Sequence, residues 1–337
     1  MNRVNKLLSQ IATNHCNTST DPKVAVIMGA GNGLGGSIAK KFASEGFTVI
    51  VARRTKEKTK DLVDEINAME KGKCYGFGVD TRRENKVIGF TANIERKYGP
   101  IEFAVYNPGA NVRFSIADTT SRVYLKVWEM ACFGGFLFGK EVSKYMQKRG
   151  RGCIIFTGAT ASIRGNTGFA AFSSAKHGLR ALAQSMAKEL GPQGIHIAHV
   201  VIDGGIDSDF IRNMWRQRNI KLDKEDMLLQ PDEIANNYWH LYKQKRNAWT
   251  FEMDLRCVLE NMISSSFALM IGWFFRAHLL TDRIVRNGPD QRILISDHAP
   301  LLFGKGVMSL RASCFYCGQS KPTLASASLI AKGSGSQ

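Results

Sequence analysis

The chain of 337 residues is 44% hydrophobic and 22% charged, which excludes wholesale disorder, a collagen repeat and a disulfide-stapled scaffold. The 46 Lys+Arg exceed the 29 Asp+Glu for a net charge of +17, spread along the chain with +2 in residues 1–20 (Arg3, Lys6) and +5 in 263–337. No nucleic-acid motif accompanies that surplus, so it fits an anionic cofactor or small-molecule substrate and no nucleic-acid partner.

Residues 1–21 read as a flexible segment, basic and free of acid until Asp21. Their Asn, Ser and Thr content weakly resembles a mitochondrial presequence, and the alternative reading is a frayed tail. Residues 24–28 (VAVIM) form a first strand, followed at once by a glycine-rich turn and a helix from Leu34 to Glu45. A strand at 47–52, an amphipathic helix from Lys56 to Met69, a strand at 74–79 and a helix at 84–97 come next. The pattern continues with a strand at 102–106, a long helix at 121–147, a strand at 153–157, a long helix at 169–190 and a strand at 195–202. A helix near 231–242 and a strand near 249–255 close it. Near-continuous apolar strands alternating with helices predict an α/β doubly wound parallel sheet, Rossmann-like, in one domain over residues 22–256.

Residues 257–337 read as a C-terminal extension, partly disordered toward the Ser- and Gly-rich end. Its apolar run 262–275 is 14 residues long, against about 20 for a membrane span, so packing on the body or a partner is favoured over membrane association. Cys314 and Cys317 form a lone CxxC, too few ligands for a zinc site, and no metal-ligand cluster appears elsewhere. Seven scattered cysteines and no visible secretory signal point to reduced thiols and an intracellular protein, cytoplasmic or mitochondrial.

The turn after the first strand reads Gly29-Ala30-Gly31-Asn32-Gly33-Leu34-Gly35. Glycines there let the backbone approach a pyrophosphate, and the amides of the next helix face the phosphates. Its G-x-x-x-G-x-G spacing resembles that of the short-chain dehydrogenase/reductase family, and further segments match that family in order. Asp80 stands where the family has an acid beside adenine. Asn107-Pro108-Gly109-Ala110 stands where the family has Asn-Asn-Ala-Gly. Lys176 occupies the lysine of Tyr-x-x-x-Lys, and Asp203-Gly204-Gly205-Ile206-Asp207-Ser208 the place of Pro-Gly-x-x-x-Thr. The resemblance implies cofactor contacts from Gly29, Gly31, Asn32, Gly33, Leu34, Gly35, Asp80, Asn107, Gly109, Lys176, Gly204, Ile206 and Ser208. It also implies pairing of the two long helices into a homodimer or homotetramer.

Cofactor choice is set at the end of the second strand, where an acid holds the ribose 2′-hydroxyl of NAD and a basic residue accepts the 2′-phosphate of NADP. Arg53 and Arg54 stand there, so NADP(H) is expected over NAD(H).

The family's proton-delivering residues are replaced. Four residues before Lys176 stands Phe172, the serine position is Ala159, and the asparagine position on the preceding long helix is Ala131. The enoyl-reductase spacing places Phe169 where a tyrosine would be. A one-residue gap moves the serine role to Thr160, so Lys176 and Thr160 are the catalytic candidates. Asp203 is a second possible acid, weighed against a turn-capping role. Arg113 and Arg164 are candidates for a substrate anion, Tyr106 is expected in the packing layer, and His196 and His199 in core or interface packing rather than metal ligation. The expected activity is hydride transfer to or from a carbonyl or polarised C=C bond with non-standard proton delivery. The alternative is a catalytically inactive NADP(H)-binding sensor or scaffold.

Overall fold

In the computed structural model, residues 23–217, 227–257, 301–303 and 306–308 are described. The chain divides into two units, Met1–Ala268 and Leu269–Gln337. The first holds a seven-stranded sheet whose ladders are all parallel, in the order β3-β2-β1-β4-β5-β6-β7. The strands are β1 Val24–Met28, β2 Thr48–Arg53, β3 Lys73–Gly78, β4 Ile101–Tyr106, β5 Gly152–Thr157, β6 Ile195–Asp203 and β7 Glu252–Arg256. The helices are α1 Leu34–Ser44, α2 Lys60–Ala68, α3 Glu84–Lys97, α4 Ser121–Trp128, α5 Gly134–Arg149, α6 Ala170–Leu190, α7 Asp209–Gln217 and α8 Pro231–Lys243. This is the doubly wound sheet expected from the sequence.

The apolar strands follow from burial on both faces. In β1, Ala25 and Ile27 point into one core and Val24, Val26 and Met28 into the other. The first core takes Ile38 and Phe42 of α1 and Tyr238 and Leu241 of α8, with Phe42 stacked on Phe103 of β4 at 3.8 Å. The second takes Phe90 and Ile94 of α3, Phe138 and Met146 of α5 and Leu179 of α6. Each fully buried Ile or Phe contributes about 1.5–3 kcal/mol relative to exposure. The strand order reverses between β1 and β4, where Met28 pairs with Tyr106 on one side and Ala52 on the other. A crevice opens beyond the carboxyl ends of the strands at such a reversal.

Four segments depart from the sequence expectation. The helix expected from Lys56 begins as a 3₁₀ turn, Lys56–Thr59, because the Thr59 hydroxyl donates to the Lys56 carbonyl at 2.6 Å. The long helix expected over 121–147 is α4 and α5 joined by a π-helical turn, Glu129–Phe133, and it ends at Gly150 in the left-handed conformation (φ 64°). The last strand starts at Glu252 rather than 249, since Gln244 holds the Thr250 amide at 2.8 Å and the Trp249 indole at 3.2 Å. Helix α7 is an addition, started by Ser208, whose hydroxyl accepts from the Ile211 amide at 3.3 Å.

In the second unit, β8 (Leu301–Phe303) and β9 (Gly306–Met308) form an antiparallel ladder with Leu301 opposite Met308. The expectations for segment 1–21, the apolar run 262–275, the Cys314–Cys317 pair and the Ser/Gly-rich tail lie outside the described residues. No helix among the described residues is long and apolar enough to cross a membrane.

Candidate active site

The glycine turn binds itself to the neighbouring strands. Gly29 adopts φ 88°, donates to Ala52 at 2.8 Å, and leaves no room for a Cβ, which would meet the Pro108 nitrogen at 2.9 Å. Asn107 anchors the same turn: its amide donates to Met28 at 2.9 Å and its side chain to the Gly29 carbonyl at 3.1 Å. A Cβ on Gly35 would lie 2.6 Å from the Gly29 carbonyl oxygen, so the first turn of α1 packs directly on the loop. Gly33 caps α1 without a side-chain acceptor, Asn32 is exposed, and the space beside Gly33 is open. A helix N-terminus with uncapped amides beside open space is suited to phosphate.

A cleft of about 340 Å³ lies here, lined by Gly29 and Gly31, by Arg53 and Arg54, and by Asn107 and Gly109. The Arg53 guanidinium passes 3.9 Å from the position of a Cβ on Gly31 and donates to the Lys58 carbonyl at 3.0 Å. Arg54 is exposed. Asp80 reaches the cleft with its carboxylate held by Arg82, Nε to Oδ1 at 2.8 Å and Nη2 to Oδ2 at 2.7 Å. The Arg82 hydrogen bond holds the Asp80 carboxyl below the usual carboxylate range. Arg82 therefore joins Arg53 and Arg54 as a third cleft guanidinium, which the sequence reading missed; its place two residues after Asp80 was the available signal. The glycine cradle and the cationic wall fit a dinucleotide.

Farther along the strand ends stands Lys176, 2% exposed. Its ammonium donates to the Thr157 carbonyl at 2.8 Å and, more weakly, to Pro108 at 3.5 Å. Phe172, one helical turn earlier, holds its ring centroid 5.9 Å from that nitrogen. Phe172 and Ala131 are buried with Cys132, Ala110, Ala161 and Ala175 in a small apolar cluster, and Ala159 packs against it. Burial pulls the Lys176 ammonium down to about 8, against a smaller opposing effect of Cys132. Ala131 and Cys132 lie in the π-helical turn, which is fixed from below: the Tyr106 hydroxyl donates to the Met130 carbonyl at 2.6 Å. Tyr106 is fully buried, as its place in the packing layer implies.

Thr160 and Asp203 meet each other. The Thr160 hydroxyl donates to Asp203 Oδ1 at 2.6 Å, and Arg164 Nη2 contacts both carboxylate oxygens at 2.7 and 2.6 Å. Arg256 of β7 adds a longer ion pair at 3.4 Å. Asp203 is thus engaged by hydrogen bonds and ion pairs, and the Thr160 hydroxyl has Asp203 as its acceptor. Arg113 lies over the Phe169 ring, on a loop joined to the next by the Phe114 amide and the Gly168 carbonyl at 2.9 Å. Beyond β6, Ile206 bridges to Leu229 and Ser208 caps α7. Gly204 adopts φ 158°.

The two histidines of β6 are core residues, as expected. His199 is fully buried, hydrogen-bonded through Nδ1 to Glu252 at 2.9 Å, and Glu252 is gripped by both Arg180 donors at 2.6 Å. Burial pulls His199 down to about 4, so it is neutral at pH 7. Its Nε2 faces Gly158, where a Cβ would stand 2.5 Å away. Among the described residues no group of His, Cys, Asp and Glu could hold a metal ion.

Comparison with known proteins agrees with this architecture. The short chain dehydrogenase family model matches residues 23–219. Sorbitol-6-phosphate 2-dehydrogenase of Escherichia coli (strain K12) is 28% identical over 219 residues, covering 64% of this chain and 82% of the relative. The crystal structure of a short-chain dehydrogenase from Rhodopseudomonas palustris shares 47% identity at TM-score 0.59, over 70% of this chain and 98% of that one. A metagenomic short-chain oxidoreductase in complex with NADP has the same fold at 22% identity and TM-score 0.61, over 71% of this chain and 99% of that one. The chain belongs to the short-chain dehydrogenase/reductase family and is an NAD(P)-dependent oxidoreductase by that membership.

Proposed function

We propose that this chain is an NADP(H)-dependent oxidoreductase that transfers hydride to or from a carbonyl or polarised C=C bond of a small molecule, without a tyrosine acid. The observation that carries the cofactor preference is the pair Arg53 and Arg54 at the end of β2, lining the cleft. A guanidinium fork matches a phosphate, and Asp80 beside it is already neutralised by Arg82. In this reading Gly31, Asn32, Gly33, Leu34 and Gly35 hold the pyrophosphate, and Asp80, Asn107 and Gly109 line the adenosine side. Lys176, Gly204, Ile206 and Ser208 hold the nicotinamide end. The nicotinamide supplies the hydride when bound; the chain orients it, excludes water with the Phe172 and Ala131 cluster, and supplies cationic charge at Lys176 Nζ.

The test is titration with NADPH and NADH, followed by NADPH oxidation on a panel of carbonyls and enones. We expect tighter binding of NADPH, and Arg53→Asp to weaken NADPH but not NADH by roughly 10- to 100-fold. Equal loss for both cofactors would refute the 2′-phosphate assignment.

A second reading has its own support. Phe172, Ala131 and Ala159 leave an apolar lining where a polar relay would stand, which suits a sensor or scaffold that binds NADP(H) without turnover. Tight binding with no oxidation across the panel would assign it; absence of binding would overturn both. We also propose a homodimer or homotetramer paired through the long helices, and an intracellular location, in keeping with the buried thiols Cys74, Cys132 and Cys153.

A further inference from the structure

We propose that the purine ring of the dinucleotide is held by stacking on the Arg82 guanidinium, and that the ion pair between Arg82 and Asp80 keeps the Asp80 carboxylate from reading the 6-amino group. This rests on the cofactor reading above and does not depend on turnover.

The resemblance to the family puts an acid beside adenine, and Asp80 does line the cleft. Its oxygens are already engaged. Oδ1 accepts from the Arg82 amide at 3.2 Å and from Arg82 Nε at 2.8 Å, which fills both of its lone pairs. Oδ2 accepts from Arg82 Nη2 at 2.7 Å, with Arg83 Nε 3.9 Å away. The fork is two parallel charge-assisted bonds between side chains only 28% and 24% exposed. Swinging the carboxylate onto a 6-amino group would break at least one of those bonds and make a weaker one, because the donor on the base is neutral.

The other polar side chains at this end of the cleft are spent as well. Thr81 is buried, with its hydroxyl 3.2 Å from the Tyr106 hydroxyl. Asn107 gives its side-chain amide to the Gly29 carbonyl at 3.1 Å. Beside them the lining is apolar or flat: Ala52, Val79, Met130 and the Arg82 guanidinium. Arg82 spends its Nε–Nη2 edge on Asp80, and that in-plane contact leaves its faces for stacking on an aromatic ring. The carboxylate also fixes the plane of the guanidinium and neutralises it. Arg82 therefore offers the cofactor a surface rather than a net charge, and the 2′-phosphate falls to Arg53 and Arg54. Such a subsite grips a base by its π surface, which adenine and hypoxanthine share, and does not discriminate at the 6-position.

Fluorescence titration of the full chain with NADPH and with reduced nicotinamide hypoxanthine dinucleotide phosphate tests the assignment. The two differ at the 6-position, an amino donor in the first and a carbonyl acceptor in the second. We expect dissociation constants within about threefold of each other. Arg82→Leu removes the plane and releases the carboxylate. We expect it to bind NADPH roughly 3- to 10-fold more weakly than the unsubstituted chain. We also expect it to prefer NADPH over the 6-oxo form by about tenfold, because the freed Asp80 accepts from the amino group and repels the carbonyl. Adding Asp80→Ala to Arg82→Leu should abolish that preference. A preference of the unsubstituted chain for NADPH beyond about threefold shows Asp80 reading the base, and overturns the assignment whether or not the variants fold. So does a folded Arg82→Leu that binds NADPH as tightly as the unsubstituted chain. Binding of neither dinucleotide overturns the cofactor reading itself; that outcome is distinct, because the two results above both require a chain that binds NADPH.

Discussion

Phe172 differs from tyrosine by one hydroxyl, and in the function proposed above that hydroxyl is what the proton path lacks. The ring is buried beside Ala131 and Ala175, one turn from Lys176, so the backbone already presents residue 172 toward the lysine. The Ala159 amide donates to Ser162 at 3.1 Å, which fixes the loop where the family's serine would stand. Phe172→Tyr combined with Ala159→Ser should therefore raise carbonyl reduction. A positioned acid typically contributes 10²–10⁴-fold, and a gain of at least about tenfold in kcat is expected even with imperfect placement. The measurement is NADPH oxidation on the same carbonyl panel. A folded, NADPH-binding double variant without gain would show that residue 172 does not aim at the reacting oxygen. Asp203 carries the opposite lesson: a carboxyl that residue type alone offers to the site is already engaged by Arg164 and Thr160.

At the scale of elements, the helix run α4–π turn–α5 has two faces with different work. Its inner face carries Ala131, Cys132 and Leu137, packed toward the sheet and the site. Its outer face leaves Tyr124, Leu125, Trp128 and Phe136 between 37% and 55% exposed, with Trp128, Phe133 and Phe136 in successive ring contacts. Large apolar side chains grouped on one exposed helix face mark an association surface. We expect light scattering to give a mass above that of one chain, and Leu125→Glu to shift it toward the monomer. A monomeric unsubstituted chain at micromolar concentration would refute the pairing. The π turn places Ala131 and Cys132 on the site because Tyr106 satisfies the Met130 carbonyl, a contact 24 residues distant in sequence.

The whole molecule feels the buried histidine of β6. His199 has a folded-state pKa of about 4, below its ordinary 6.5, because burial disfavours the charged ring. Between these values the unfolded chain binds a proton that the folded chain does not, so stability is lost as pH falls from about 6.5 toward 4. The size is on the order of 3 kcal/mol if the full difference is expressed. Urea denaturation across that range should show the slope, and His199→Asn should flatten it; an unchanged slope in the variant would assign the acid sensitivity to other groups. Glu252 faces the histidine but stays ionised, held down chiefly by Arg180, and so does not reverse the sign.

The sequence by itself determined the sheet and the cofactor turn. Strands buried on both faces must be apolar throughout, and a loop that passes within van der Waals contact of its neighbours must be glycine, as at Gly29 and Gly35; both demands are local and leave local marks. The family's order of segments was equally legible, because each segment is a matter of residue identity at a spacing. The 3₁₀ start at Lys56, the π turn at Glu129–Phe133 and helix α7 were not, since each depends on a hydrogen bond that competes with the regular pattern. Only the tertiary structure decided who partners whom. Asp80 goes to Arg82, Thr160 and Arg164 to Asp203, and His199 to Glu252, while Lys176 is buried against the Thr157 and Pro108 carbonyls. Charge and protonation are set by neighbours within a few ångströms, and the fold brings most of those neighbours from strands and helices tens of residues away.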